Sequence, residues 1–210
     1  MNPPYRTILY ALLALLLLVV ASPAAERAAN FRLEGVDGKT YELKQVAKDA
    51  KAVLLNFWEV NCKPCKQEMP HIERIFRTYE PAGLCVLVVS RDTSLTISKV
   101  KPFVAGQKWS FPVLLDPQLE ASSDYHVKFS PVNILVSAKG EILYRHDGYK
   151  PGNERELEEA VIKALELCPE EVAKLAAAYE KGNAGADNAE PADAAEETES
   201  GEDDRPTDES

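Results

Sequence analysis

The sequence predicts an α/β fold, a central mixed β-sheet flanked by helices, led by an N-terminal β-hairpin and interrupted by a central strand-helix insert. Three observations predict it. Ala52-Val53-Leu54-Leu55-Asn56-Phe57-Trp58 is a nearly unbroken apolar run between Lys51 and Glu59, the pattern of a strand covered on both faces. Two runs of the same kind follow at 84–90 and 132–136. Between them the apolar residues change to helical spacing, as in Met69, Ile72, Ile75 and Phe76.

In chain order, residues 26–30 read as a connector. Phe31-Arg32-Leu33-Glu34 and Lys39-Thr40-Tyr41-Glu42-Leu43 alternate around the turn dipeptide Asp37-Gly38, which gives an edge hairpin. The buried strand over 52–58 ends four residues before Cys62, and a helix follows from Cys62 to about Tyr79, with a kink expected at Pro70. Pro81-Ala82-Gly83 breaks the chain before the strand at 84–90, after which Asp92, Thr93 and Ser94 offer N-caps for a helix over 97–104. A short strand at 111–115 and a short helix at 118–125 form the insert. The strand at 132–136 begins just after Pro131, and a turn at 138–140 leads to another strand over 141–146. Asn153 is the expected cap of a helix running through Leu167, with Leu157, Val161, Ile162 and Leu165 on one face. These elements make one domain over 31–168, followed by a short helix over 169–181.

The chain of 210 residues is 45% hydrophobic, enough for one domain with a real core, and no internal repeat is visible. Its net charge of −10 is concentrated: residues 182–210 hold 11 acids and one Arg, leaving 23 acids against 23 Lys and Arg in the rest. The folded part is therefore near neutral and carries no basic footprint for nucleic acid or membrane. The tail over 182–210 has no aromatic or large aliphatic residue and is expected to be disordered. At the other end, Arg6 precedes an apolar run over 8–21 and then Ser22-Pro23-Ala24-Ala25, which reads as an export signal cut after Ala24 or Ala25. The alternative is an uncleaved membrane anchor over 7–25. Both place the domain in the periplasm or otherwise outside the cytoplasm.

In such a compartment paired cysteines can serve as disulfides. Cys62-Lys63-Pro64-Cys65 sits where a strand delivers the chain to a helix N-terminus. There the partial positive charge and unpaired amides stabilise a thiolate at Cys62, while Cys65, one turn on, can resolve the adduct. Cys62 is thus the expected nucleophile, Cys65 the resolving thiol, and the two together a redox-active disulfide that needs no cofactor. Lys63 adds positive charge, and Pro64 removes an amide the helix start does not use. Half of a zinc site is the competing reading, but no second CxxC or HxxxH is present and His71, His126 and His146 are scattered, so no metal is assigned. A purely structural bridge across so short a loop would stabilise little. Cys85 and Cys168 read as small packed hydrophobes, with a disulfide between them as the alternative.

The stretch from Val53 to Trp58, the CKPC motif and Lys66-Gln67-Glu68-Met69-Pro70 together resemble the TlpA-type exported thioredoxins, which include reductants of cytochrome c maturation. The resemblance covers about residues 31–167 and implies a thioredoxin-like fold. It also implies a cis-proline at Pro131, which holds an extended substrate strand beside Cys62, and a substrate-binding set of Ser130, Pro131 and Trp58, the last packing beneath the loop. Glu68 stands where the family often carries an acid that moves protons at the resolving thiol; as a residue it also reads as an ordinary solvated helix glutamate. Asn56 replaces the buried aspartate of ordinary thioredoxins. Asn61 and Ser130-Pro131-Val132-Asn133 depart from the family pattern around the substrate platform. The implied partners are exported disulfide-containing proteins, with apocytochrome c or a copper-site assembly protein as candidates, and an upstream membrane electron donor. A thiol peroxidase is the alternative within enzymes, although Leu55 and Glu59 occupy the positions of its Pro and Thr. A non-catalytic binding module is the alternative outside them.

Overall fold

The computed structural model describes residues 26–183; the expected export signal or anchor over 1–25 and the acidic tail beyond 183 lie outside the described residues. A seven-stranded mixed sheet divides the domain into two layers. Its strands are β1 (Arg32–Gly35), β2 (Thr40–Glu42), β3 (Ala52–Trp58), β4 (Leu84–Ser90), β5 (Val113–Leu115), β6 (Val132–Ser137) and β7 (Ile142–Asp147). They lie in the order β2-β1-β5-β4-β3-β6-β7, with β3, β4 and β5 parallel and the other pairings antiparallel. The helices are α1 (Leu43–Asp49), α2 (Lys63–Tyr79), α3 (Ile97–Ala105), α4 (Glu120–Asp124), α5 (Asn153–Ala164) and α6 (Pro169–Asn183).

All seven residues of β3 are buried, as its apolar run requires. Side chains alternate across a strand, so Ala52, Leu54 and Trp58 enter a core with Met69, Ile72 and Ile75 of α2 and Leu157 and Val161 of α5. Val53, Leu55 and Phe57 enter the opposite core with Phe31, Leu43, Ala121 and Tyr125. Asn56 is the polar exception on the α2 side. α2 continues through Pro70, which stands exposed on its outer face. Gly83, after the 3-10 turn at Glu80–Ala82, has φ +104, and a Cβ there would sit 3.0 Å from Lys51 Cγ, so this turn favours glycine on two grounds.

The structure corrects several boundaries. Leu43 does not end the hairpin but opens α1, because Leu43 and Ala47, four apart, share a buried face. The connector is pinned: Ile142 donates its N–H to the Glu26 carbonyl (2.8 Å) and Ala28 donates to Gly140 (2.9 Å). Asp92 does not cap α3, whose N-cap is Thr96 without a side-chain bond; its carboxylate turns inward to accept from the Val60 N–H (2.9 Å) and Ser90 Oγ (2.9 Å). Asn153 is the first residue of α5 rather than its cap, and its Oδ1 accepts the Lys150 N–H. α5 stops at Ala164 instead of Leu167 because Glu166 takes φ +57 and the Leu167 N–H returns to the Ile162 carbonyl, closing a Schellman turn. α6 extends two residues past the expected boundary, to Asn183.

Cys168 is exposed rather than packed. It precedes α6, where its N–H donates to Glu171 Oε2 (2.9 Å) in half of a capping box. Cys85 is half-buried in β4, and neither thiol is bonded to another cysteine.

Candidate active site

β3 ends at Trp58, and the loop over 59–62 turns the chain into α2, the Cys62 N–H donating to the Glu59 carbonyl (3.1 Å). Cys62 is the N-cap of α2, with extended backbone and Sγ accepting the Cys65 N–H at 3.2 Å. The sulfur thus does what a serine or aspartate oxygen does at other helix starts. No acidic residue lies in the first turn to oppose a negative sulfur, and Lys63 and Lys66 stand exposed beside it. Cys62 and Cys65 are joined as a disulfide; Cys62 is half-exposed and Cys65 fully buried. A partner can therefore reach only the first sulfur.

Glu68 lies one turn beyond Cys65 on the same buried side of α2 and is only 3% exposed, so it is not a solvated helix glutamate. The antiparallel register of β3 and β6 places Asn56 opposite Asn133, and both amides face this carboxyl. Asn133 Nδ2 donates to Oε1 (2.6 Å), Asn56 Nδ2 donates to Oε2 (3.0 Å), and Asn56 also donates to Asn133 Oδ1 (2.8 Å). Burial pushes the Glu68 pKa up to about 7, against the two amide bonds, which favour the charged form. A carboxyl balanced there can take and return a proton at neutral pH. Asn133 was visible in the sequence only as a departure after Pro131; an amide at a core-strand position was the available signal.

The Ser130–Pro131 peptide is cis, as the resemblance implies, and Pro131 is buried while Ser130 is half-exposed. The Ser130 carbonyl oxygen lies 3.6 Å from Cys62 Sγ, so the segment before Pro131 does border the reactive sulfur. Trp58 does not. It is 0% exposed and packs against Phe103 (ring centroids 5.7 Å apart) and Trp109 (5.3 Å), which makes it a floor for the cysteine loop and removes it from the substrate-binding set.

One cluster went unread in the sequence. Glu59, Arg91 and Ser130 meet beside the cysteines: Arg91 Nη1 pairs with Glu59 Oε1 (2.5 Å) and donates to Ser130 Oγ (3.1 Å), and Ser130 Oγ donates to Glu59 Oε1 (3.0 Å). Among the described residues no group of three or more His, Cys, Asp and Glu is placed to hold a metal ion, and no helix is long and apolar enough to cross a membrane.

Comparison with known proteins meets this geometry. The model of the AhpC/TSA family matches residues 24–145. Thiol-disulfide oxidoreductase ResA of Halalkalibacterium halodurans is 36% identical over 126 residues, covering 60% of this chain and 69% of that protein. A Chlorobium tepidum structure assigned as thiol:disulfide interchange protein DsbE superposes with a TM-score of 0.62 at 29% identity, over 67% of this chain and 96% of that one. The exposed lipoprotein thioredoxin Etrx1 of Streptococcus pneumoniae gives 0.54 at 26% identity, over 66% of this chain and 98% of its own. The fold is thioredoxin-like.

Proposed function

The chain belongs to the AhpC/TSA family and is a thiol-disulfide oxidoreductase of the TlpA-like thioredoxin type, and from that premise we propose that it works outside the cytoplasm, its reduced Cys62–Cys65 pair donating electrons to disulfides of other exported proteins. The observation that carries the reading is a half-exposed sulfur at a helix N-cap, one turn from a buried sulfur and two turns from a buried, readily protonated carboxyl. The extracytoplasmic setting is supported by the apolar run over 8–21 and by the name of the pneumococcal neighbour.

In the reaction proposed, the Cys62 thiolate attacks one sulfur of the substrate disulfide. That S–S bond breaks, the second substrate sulfur leaves as a thiolate and is protonated from solvent, and a mixed disulfide remains on Cys62. Glu68 then accepts the Cys65 thiol proton, and Cys65 Sγ attacks Cys62 Sγ. The remaining substrate sulfur leaves as a thiolate and is protonated from solvent, and Glu68 gives up the proton it accepted. Two electrons and two protons pass to the substrate, and Cys62 and Cys65 end as a disulfide to be reduced by a membrane electron donor. The Ser130–Pro131 segment holds the substrate chain beside Cys62. Apocytochrome c or a copper-site assembly protein fits the substrate class.

The test is capture with Cys65→Ser, which removes the resolving thiol and leaves the Cys62 mixed disulfide intact. The variant is expected to retain exported proteins through a reducible bond that Cys62→Ser does not form. A reduction potential as high as about −120 mV, that of a strong protein oxidant, overturns the direction proposed. Equal insulin reduction by wild type and both variants overturns the roles of the cysteines.

A further inference from the structure

The cysteine loop, the end of β4 and the segment before Pro131 come from three distant parts of the chain, and they must keep a fixed separation if a substrate strand is to lie beside Cys62. The sheet alone does not secure this. β3 pairs with β6 from Phe57↔Val132 inward, so Glu59 and Ser130 both lie beyond the last paired residues. What joins them is Arg91. Its side chain is only 10% exposed, a costly position for a guanidinium unless its donors are used. Its two Nη groups are used across these segments, while Nε is buried without a partner. Nη1 reaches Glu59 and Ser130 Oγ, Nη2 donates to the Val127 carbonyl (3.2 Å), and the Arg91 N–H donates to the Trp58 carbonyl (2.8 Å).

Glu59 closes the circuit from the other side. Its carboxylate accepts a hydrogen bond from the Ser130 hydroxyl, and its backbone carbonyl accepts one from the Cys62 N–H. The reactive sulfur and the carbonyl 3.6 Å from it are therefore tied through one residue on each side and one guanidinium between them. A planar fork is the right group here, because three acceptors are engaged at fixed angles and a lysine ammonium cannot meet them with the same geometry.

We propose that Arg91 is a positioning residue that locks the substrate platform at Ser130 to the cysteine loop, and so sets the preference for disulfides embedded in an extended polypeptide over small free disulfides. The proposal rests on the reading of the Ser130–Pro131 segment as a substrate platform. Its chemistry is indirect: Arg91 touches neither sulfur, and a small disulfide that needs only Cys62 does not feel the platform.

The experiment measures second-order reduction of two oxidants by the reduced full chain, a disulfide-linked peptide pair and 2-hydroxyethyl disulfide. Arg91→Met is expected to slow the peptide reaction about tenfold, while the small-disulfide rate changes less than twofold and the midpoint of the Cys62 thiolate titration, followed by absorbance, stays where it is. Ser130→Ala, which removes one hydroxyl and leaves Arg91 paired with Glu59, is expected to slow the peptide reaction about threefold. Its combination with Arg91→Met is no slower than Arg91→Met alone, because both break the same link. Arg91→Lys restores part of the loss. Parallel losses on both oxidants, or a shifted Cys62 titration, overturn the proposal by placing Arg91 in the thiol chemistry. A third substrate, N-methylated beside its cysteine, separates the layers. If methylation leaves wild-type rates unchanged, the platform reading fails and takes the proposal with it; if methylation slows wild type but Arg91→Met does not, only the role of Arg91 fails.

Discussion

Glu68 on α2 and Glu158 on α5 lie on the same side of the sheet, on two helices packed together, yet their neighbours drive them in opposite directions. Glu68 meets only neutral amides, and burial dominates, raising its pKa to about 7. Glu158 meets Arg74 in a two-pronged pair (2.9 and 2.6 Å) and the Tyr79 hydroxyl (2.9 Å), and the guanidinium holds its carboxyl below the usual range. A carboxyl with a counter-ion is a fixed anchor between helices. A carboxyl with amides alone is left able to change charge. The sequence offers a glutamate in a helix in both cases, and what distinguishes them is the partner supplied from elsewhere.

Stability against pH is the sharpest test of this contrast. Folded Glu68 holds its proton more tightly than the unfolded chain does, so it favours folding below pH 4.5 and progressively loses that advantage as pH rises from 4.5 to about 7. The stability of Glu68→Gln minus that of wild type is expected to grow by about 3 kcal/mol across this window, measured by urea unfolding. For Glu158→Gln the slope reverses, since Glu158 contributes stability at neutral pH and loses it only as pH falls through its lowered folded pKa. Parallel slopes would erase the comparison.

In turnover, Glu68→Gln is expected to slow resolution of the mixed disulfide about 10²-fold at pH 7 and to remove the rate inflection near that pH, read by quenched-flow trapping. Glu158→Ala should cost about 2 kcal/mol of unfolding free energy, less than a fully buried pair because both partners are partly wetted, and leave the rate per folded molecule unchanged. The smallest effect belongs to Asn133→Ala. Losing a bond to the charged form is worth about 1.4 kcal/mol and should raise the inflection by about one pH unit.

What could be read without coordinates follows from how local each signal is. β3 and β4 fall at their expected residues because continuous apolar runs between polar punctuation specify a strand by themselves. The cysteine pair was legible for the same reason, as a motif at a strand-to-helix junction. α1 was missed because it is seven residues long, and Leu43, Val46 and Ala47 make only one turn of helical pattern directly after a strand. The burial of Glu68 depends on two asparagines 77 residues apart, and the Arg91 cluster on segments 32 and 39 residues away. Spacing along the chain cannot report either. Cys168 was misplaced because the Schellman turn at Glu166 ends α5 early and leaves the thiol at the start of the next helix.

The pairing of Asn56 with Asn133 has a consequence for the fidelity of folding. If β6 slipped by one residue against β3, Val132 or Ile134 would take the place opposite Asn56, and Asn133 would turn to the other core. Glu68 would then lie under the sheet with half its hydrogen bonds gone and no water to replace them. The same amides that ready the carboxyl for proton transfer therefore act as a proofreader of strand register: a wrongly aligned sheet is penalised at the very residue whose chemistry it would have spoiled.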